Sequence, residues 1–251
     1  IMTAEDLKAF AANIEQMQKA YKGGITVEQV ISLSTQDDID RANQQIHVAL
    51  PTRRVNGMVH FVTNASRQST EKDPRAPRYH HVHVEFLAFN ELVFNPDKVK
   101  ETTVQNRLSK GKVKFECDCG RFNFWFRYLN TVGGTVLGRK EGGFPKIRNP
   151  NMTGIACKHI LRVMHYIKSQ QGRHYLTNAL QQERTKQVGR RTKTGKKDLA
   201  QQLSEQIVRA NTKRNVIKPN LMREVAKIEA KAQTAANALL KKKAATESKA
   251  Q

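Results

Sequence analysis

The sequence predicts an α+β fold: a small helical N-terminal unit over residues 1–46, a compact strand-plus-helix domain over 47–170, and a basic, helical or partner-ordered tail over 171–251. Three observations predict it. Apolar residues recur at helical spacing near the start and again after Gly154, the stretches between them alternate apolar with polar, and every aromatic residue falls at or before Tyr175.

Residues 3–21 read as an amphipathic helix. Thr3 is placed to cap it, Asp6 to return the reciprocal capping bond, and Leu7, Phe10, Ile14, Met17 and Tyr21 follow at spacings of three and four before Gly23-Gly24 ends it. Two short helices are expected over 27–33 and 36–46, the second capped by Thr35 with Asp37 and Asp38 in its first turn, where they complement the helix dipole. Strands are expected over 47–50, halted by Pro51, then over 57–63, 79–89 and 113–117. Residues 64–78, rich in Ser, Asp, Pro and charge, read as an exposed loop. A helix of about four turns should span Ile155 to Ser169, with Ile160, Val163, Met164 and Ile167 on one face. Two tail helices are expected over 197–211 and 220–243. In the second, Leu221, Val225, Ile228, Ala232, Ala235 and Leu239 form a 4-3-4-3-4 seam, which suits either helical self-association or a soluble Ala-rich helix.

Charge is unevenly placed. The 251 residues carry 44 Lys and Arg against 22 Asp and Glu, a net +22. Residues 1–109 hold 13 basic and 13 acidic side chains, 110–170 hold 12 and 3, and 171–251 hold 19 and 6, so the whole excess lies in the second half. With no aromatic residue after Tyr175, little core is expected beyond it. Such a tail is either a solvated charge run or an arm for a polyanion, whose condensed counterions it would release. A membrane is disfavoured as partner, because interfacial aromatic anchors are missing and no apolar run is long enough to span a bilayer. The start, Ile1 to Asp6, lacks the basic-then-apolar order of a signal peptide, so Sec export is not expected.

All three cysteines lie in two short groups, Cys117-Asp118-Cys119 and Cys157-Lys158-His159. An odd count excludes complete disulfide pairing. Three thiolates and one imidazole make a tetrahedral zinc complement with no open coordination position, which predicts one structural Zn2+ held by Cys117, Cys119, Cys157 and His159. A reversing turn at Gly120 is expected to bring the first two thiolates to one side. The helix start favours Cys157 as thiolate, and Lys114, Arg121 and Lys158 act in the same direction.

Cys-x-Cys followed by Cys-x-His at a helix start resembles the SWIM zinc finger. The likeness covers Phe115-Glu116-Cys117-Asp118-Cys119 and Gly154-Ile155-Ala156-Cys157-Lys158-His159-Ile160, within about 55 residues of the chain. It implies a small strand-plus-helix zinc unit that binds DNA or protein, as in bacterial ATPase-associated proteins, plant transposase relatives and ubiquitin-ligase-like proteins. One departure is the 37 residues between Cys119 and Cys157, longer than is usual there, so an insertion should loop out.

That insertion crowds Phe122, Phe124, Trp125, Phe126 and Tyr128 into seven positions, then interleaves glycines with Arg139, Lys140, Lys146 and Arg148. Aromatics among basic residues can stack bases, but core packing is the commoner use, and Phe124, Trp125 and Phe126 are expected in the core. In His80-His81-x-His83, the second and third histidines share a strand face; without a third ligand in view, cross-strand structural roles are expected.

An enzyme is not expected: the chain has no phosphate-binding Gly-rich loop, no Gly-x-Ser-x-Gly and no His-Glu-x-x-His. A Cys157–His159 dyad is disfavoured because side chains two apart on a helix diverge by about 200°. Residues 115–167, with Gly-Phe-Pro-Lys-Ile-Arg-Asn-Pro-Asn before the Cys-x-His helix, look like virion-associated proteins of tailed bacteriophages. That resemblance implies a structural protein of the virion, assembled in the host cytoplasm, with other virion proteins and packaged DNA as partners. The alternative is a cytoplasmic or nucleoid-associated nucleic-acid-binding protein of regulation, transposition or repair. Contacts to nucleic acid or partner are expected from Arg121, Arg139, Lys140, Lys146, Arg148 and Lys158 near the zinc unit, and from Arg190, Arg191, Lys193, Lys196 and Lys197 in the tail.

Overall fold

A computed structural model describes residues 24–66, 73, 75–95, 100–185, 192–210 and 215–219. The helix expected over 3–21, the seam over 221–239, and Arg190 and Arg191 lie outside the described residues. The fold is α+β. Its elements run β1 (Ile25–Thr26), α1 (Val27–Ser32), α2 (Gln36–Gln45), β2 (Ala49–Val55), β3 (Met58–Asn64), β4 (Tyr79–Phe86), α3 (Phe89–Phe94) and α4 (Glu101–Val104), which continues into a π-helical turn. Then come β5 (Lys112–Cys117), a second π-helical turn (Phe122–Phe126), α5 (Arg127–Val132), α6 (Lys158–Lys168), α7 (Gln170–Thr185), β6 (Thr192–Lys193) and α8 (Lys196–Arg209).

The strands form one sheet in the order β1-β5-β4-β3-β2-β6, antiparallel at every pairing. Alternation sets its two faces. Val59, Phe61 and Thr63 of β3, Val82, Val84 and Phe86 of β4, and Val113, Phe115 and Cys117 of β5 are all buried on the inner face. The register pairs Val82 with Cys117 and His83 with Glu116, so Cys117 points into the core while Glu116 lies on the outer face.

Helix α6 packs across the inner face and also touches α1, α2 and α7. Ile160, Leu161, Val163, Met164 and Ile167 are each no more than 1% exposed, and at about 1.5–3 kcal/mol per aliphatic side chain they supply on the order of 10 kcal/mol of apolar burial. Lys168 at its end pairs with Glu28 of α1. The caps of the first two helices follow the sequence closely: Thr26 and Gln29 form a reciprocal capping box, and the Thr35 hydroxyl accepts from the Asp38 backbone N–H at 3.2 Å.

Two expectations need correction. Pro51 does not halt a strand: β2 runs on to Val55, and the register shifts between Pro51 and Arg53. Proline is accommodated beside a bulge, where the ladder lacks one bond anyway, and the next strand, β6, pairs only with Arg53 and Arg54. The core also extends beyond Tyr175, because Leu176, Ala179 and Leu180 of α7 are buried, as is Ile217. An internal ion pair fastens α7 to β2, between Arg54 and Glu183, whose side chains are 1% and 3% exposed. No described helix is long and apolar enough to cross a membrane.

Candidate metal centre

Cys117 is the last residue of β5 and inherits its inward direction from the strand. The chain then reverses through Asp118 and Cys119. The backbone N–H of Cys119 donates to Cys117 Sγ at 3.5 Å, and that of Phe122 donates to Cys119 Sγ at 3.4 Å. Helical geometry already begins at Gly120, whose Cβ position would meet only Phe124 at 3.7 Å. The reversal brings the two thiolates to one side, as expected, without needing glycine's conformational freedom; N–H···S bonds and the Asn123 amide, donating to Asp118 O at 3.0 Å, hold it.

The second pair arrives from a different direction. Cys157 is the extended N-cap of α6, with φ −81° and ψ 165°, and His159 sits in the first turn. Because Cys157 is not helical, the 200° divergence expected of the two side chains does not apply. His159 Nδ1 lies 3.9 Å from Sγ of both Cys157 and Cys117. The donor atoms of Cys117, Cys119, Cys157 and His159 all lie within 4.8 Å of one another, and the four residues are 1%, 3%, 0% and 2% exposed. Bond lengths of about 2.3 Å to sulfur and 2.0–2.1 Å to nitrogen give tetrahedral edges of about 3.6–3.8 Å. The four residues thus fit a metal ion such as zinc, and among the described residues they are the only such group.

The electrostatics of the four side chains fit the same reading. Hydrogen bonds from the Cys117 and Cys157 thiols hold Cys119 well below the usual thiol range. Burial, reinforced by the neighbouring sulfurs, pushes Cys117 far up; burial likewise raises Cys157. The cluster by itself thus tolerates one negative charge, whereas a divalent cation would favour all three thiolates. Burial lowers His159, which favours the neutral, ligating imidazole. Of the basic neighbours named from the sequence, Lys158 acts on Cys119 and Cys157 through its charge, as expected. Arg121 forks onto the buried Asp38 carboxylate at 3.2 and 2.9 Å, and Lys158 donates to Gln45 Oε1 at 2.7 Å. Outside the ligands, His80 packs against His159 with ring centroids 4.3 Å apart and is held by Asp118 Oδ1 at 2.9 Å.

The 37-residue insertion folds back onto β5 rather than looping out. Phe115 N–H donates to Thr135 O at 3.0 Å, and Leu137 N–H donates to Phe115 O at 3.1 Å. Two buried amides that the sequence reading passed over brace it. Asn130 Nδ2 donates to Phe126 O and Ile155 O at 2.9 and 2.8 Å, while Asn149 Nδ2 donates to Trp125 O and Thr153 O, both at 3.1 Å. An Asn buried between polar loops leaves no hydrophobic pattern, so its only sequence signal is the turn-rich context around it.

Of the aromatic cluster, Phe122 and Phe126 are buried and Trp125 packs at the core edge, but Phe124 is 65% exposed, which corrects its expected place in the core. In the π-helical turn Phe122 and Phe126 face the core, and Phe124, midway between them, points to the opposite side. Arg121 and Arg148 both stack on Trp125, 4.8 and 5.0 Å from its centroid. Arg139, Lys140, Lys146, Arg148, Lys196 and Lys197 are exposed, and Arg139 pairs with Glu141 at 2.9 Å. Lys193 lies in β6. On the outer sheet face His83 pairs with Glu116 at 3.0 Å, and His60 packs against both His81 and His83.

The chain matches no family model, no curated protein and no solved structure. The SWIM and virion likenesses therefore rest on the residues already quoted alone.

Proposed function

We propose that the protein is a non-enzymatic structural or assembly protein, braced by one structural zinc ion, whose basic surface and tail contact neighbouring subunits or packaged DNA in a bacteriophage virion. The observation that carries this reading is the closure of the Cys117, Cys119, Cys157 and His159 set: four buried protein donors leave no coordination position for a water or substrate. The ion would tie the end of β5 to the start of α6, and the inserted segment is clamped between them by Asn130 and Asn149. The virion assignment is supported by the likeness of residues 115–167. Quantitative mass spectrometry of purified virions from the encoding phage tests it. A fixed copy number per particle is expected, and absence from particles overturns the assignment.

A second reading, a SWIM-type zinc-finger protein that binds nucleic acid, is favoured by Phe124. This exposed ring lies between two clefts of about 420 and 320 Å³, one including Arg139 and the other Lys146 and Arg148. Such an arrangement suits stacking of a base beside phosphate contacts. It requires binding of single-stranded oligonucleotide that weakens steeply with salt and weakens further in Phe124→Ala. Salt-insensitive or undetectable binding excludes it.

A further inference from the structure

Helix α6 carries a second charged feature, one turn beyond the metal ligands. Arg162 is 3% exposed and, among the described residues, has no carboxylate partner. It makes three hydrogen bonds, all to neutral oxygens: Nη1 to Asn215 O at 2.8 Å and Asn215 Oδ1 at 3.1 Å, and Nη2 to Ala42 O at 2.9 Å. A guanidinium has about five N–H donors. Nε has no partner. An unpaired buried cation is among the costlier features a fold can hold.

Arg162 lines a cavity of about 760 Å³ between α6, the start of α7 and α8, within the size range of small-ligand sites. Its walls include Arg209, His47, His165 and Ser169, and none of its lining residues is acidic. Gln206 fixes the α8 wall by bonding both backbone groups of Ala49, at 2.7 and 2.8 Å. The N-terminus of the 16-residue helix α7 also borders the cavity, adding its positive dipole end. Burial first, and then the charges of Arg162 and Lys168, push His165 down to about 4, so its ring is neutral on this wall.

We infer that this cavity is a binding site for a small phosphate-bearing ligand of up to mononucleotide size, with Arg162 as its buried anchor and Arg209 at its mouth. The fork of a guanidinium matches phosphate oxygens, and a helix N-terminus completes the donor set. The site is separate from the metal cluster.

The test is calorimetric titration of the full chain, in phosphate-free buffer, with inorganic phosphate, AMP and adenosine. The expected result is saturable binding of phosphate or AMP, one per chain, with adenosine at least tenfold weaker. Phosphate as tight as AMP would make the ion itself the ligand; tighter AMP would make it a phosphate ester. Arg162→Met should abolish binding, and Arg209→Gln, at the exposed mouth, should weaken it at least threefold even if the first variant fails to fold. The inference is overturned by no saturable binding at about 10 mM, by adenosine binding as well as AMP, or by several equivalent weak sites that Arg209→Gln leaves unchanged.

Discussion

Gly154→Ala is the substitution whose cost can be worked most fully from the structure. Gly154 has φ +73°, and a Cβ added there would meet Thr35 Cγ2 at 2.8 Å and Phe126 at 3.1 Å. The left-handed backbone alone costs an L-residue about 1–2 kcal/mol. Overpacking against Thr35 and a buried ring adds about 1–3 kcal/mol. The expected loss is therefore about 2–5 kcal/mol. For a domain of this size each kcal/mol lowers the melting temperature by about 2–4 °C, so a central loss of about 3 kcal/mol lowers it by about 6–12 °C. Two companion variants separate the contributions. Gly134 has φ +68° but nothing within 4 Å of an added Cβ, so Gly134→Ala should show the backbone cost alone, about 1–2 kcal/mol. Gly120 has no positive φ and only ordinary contact with Phe124, so Gly120→Ala should be neutral or stabilise by up to about 1 kcal/mol. Urea denaturation of the three variants measures all of these. The reasoning fails if Gly154→Ala costs no more than Gly134→Ala, or if Gly120→Ala is the most damaging of the three.

Other consequences follow from burial and charge. Phe122→Ala should cost about 3–5 kcal/mol in urea denaturation and Phe124→Ala less than about 1 kcal/mol, since only the first ring is buried; equal costs would contradict the outward placement of Phe124. His165 is pushed down to about 4, so the folded state favours its neutral form; that stabilisation is complete above about 6.5 and is lost as pH falls from there towards 4. In phosphate-free buffer the wild type should lose about 3 kcal/mol more than His165→Gln between pH 7 and pH 4, and parallel pH profiles would show that His165 is not held neutral.

The sequence and the structure agree best where chemistry and periodicity are local. The grouping of the three cysteines points to the four side chains that could hold a metal ion, Thr35 marks the start of α2, and alternation along 79–86 and 112–117 places Cys117 on the inner face. What was not legible depends on distant partners. The core role of α7 rests on Leu176, Ala179 and Leu180, sparse among Gln, Asn and Thr, and on the internal pairing of Glu183 with Arg54, 129 positions away. Pro51 reads as a strand stop because its bulge exists only in register with β3. Phe124 reads as core because it belongs to a crowded run of aromatic residues, whereas it lies midway between the inward-facing Phe122 and Phe126 and so points outward. Asn130 and Asn149 carry no apolar signal at all, yet they hold the insertion that a reading by ligand spacing alone expects to loop out.

The central claim is that Cys117, Cys119, Cys157 and His159 together hold one structural zinc ion on which the fold depends. Native mass spectrometry of the purified chain, with and without a strong chelator, tests it most directly. One zinc per chain is expected, lost together with the compact charge states, because structural zinc supplies about 10–16 kcal/mol of apparent binding free energy that is also folding free energy. A chain that carries no metal, or that keeps its compact charge states after the metal is stripped, would contradict it.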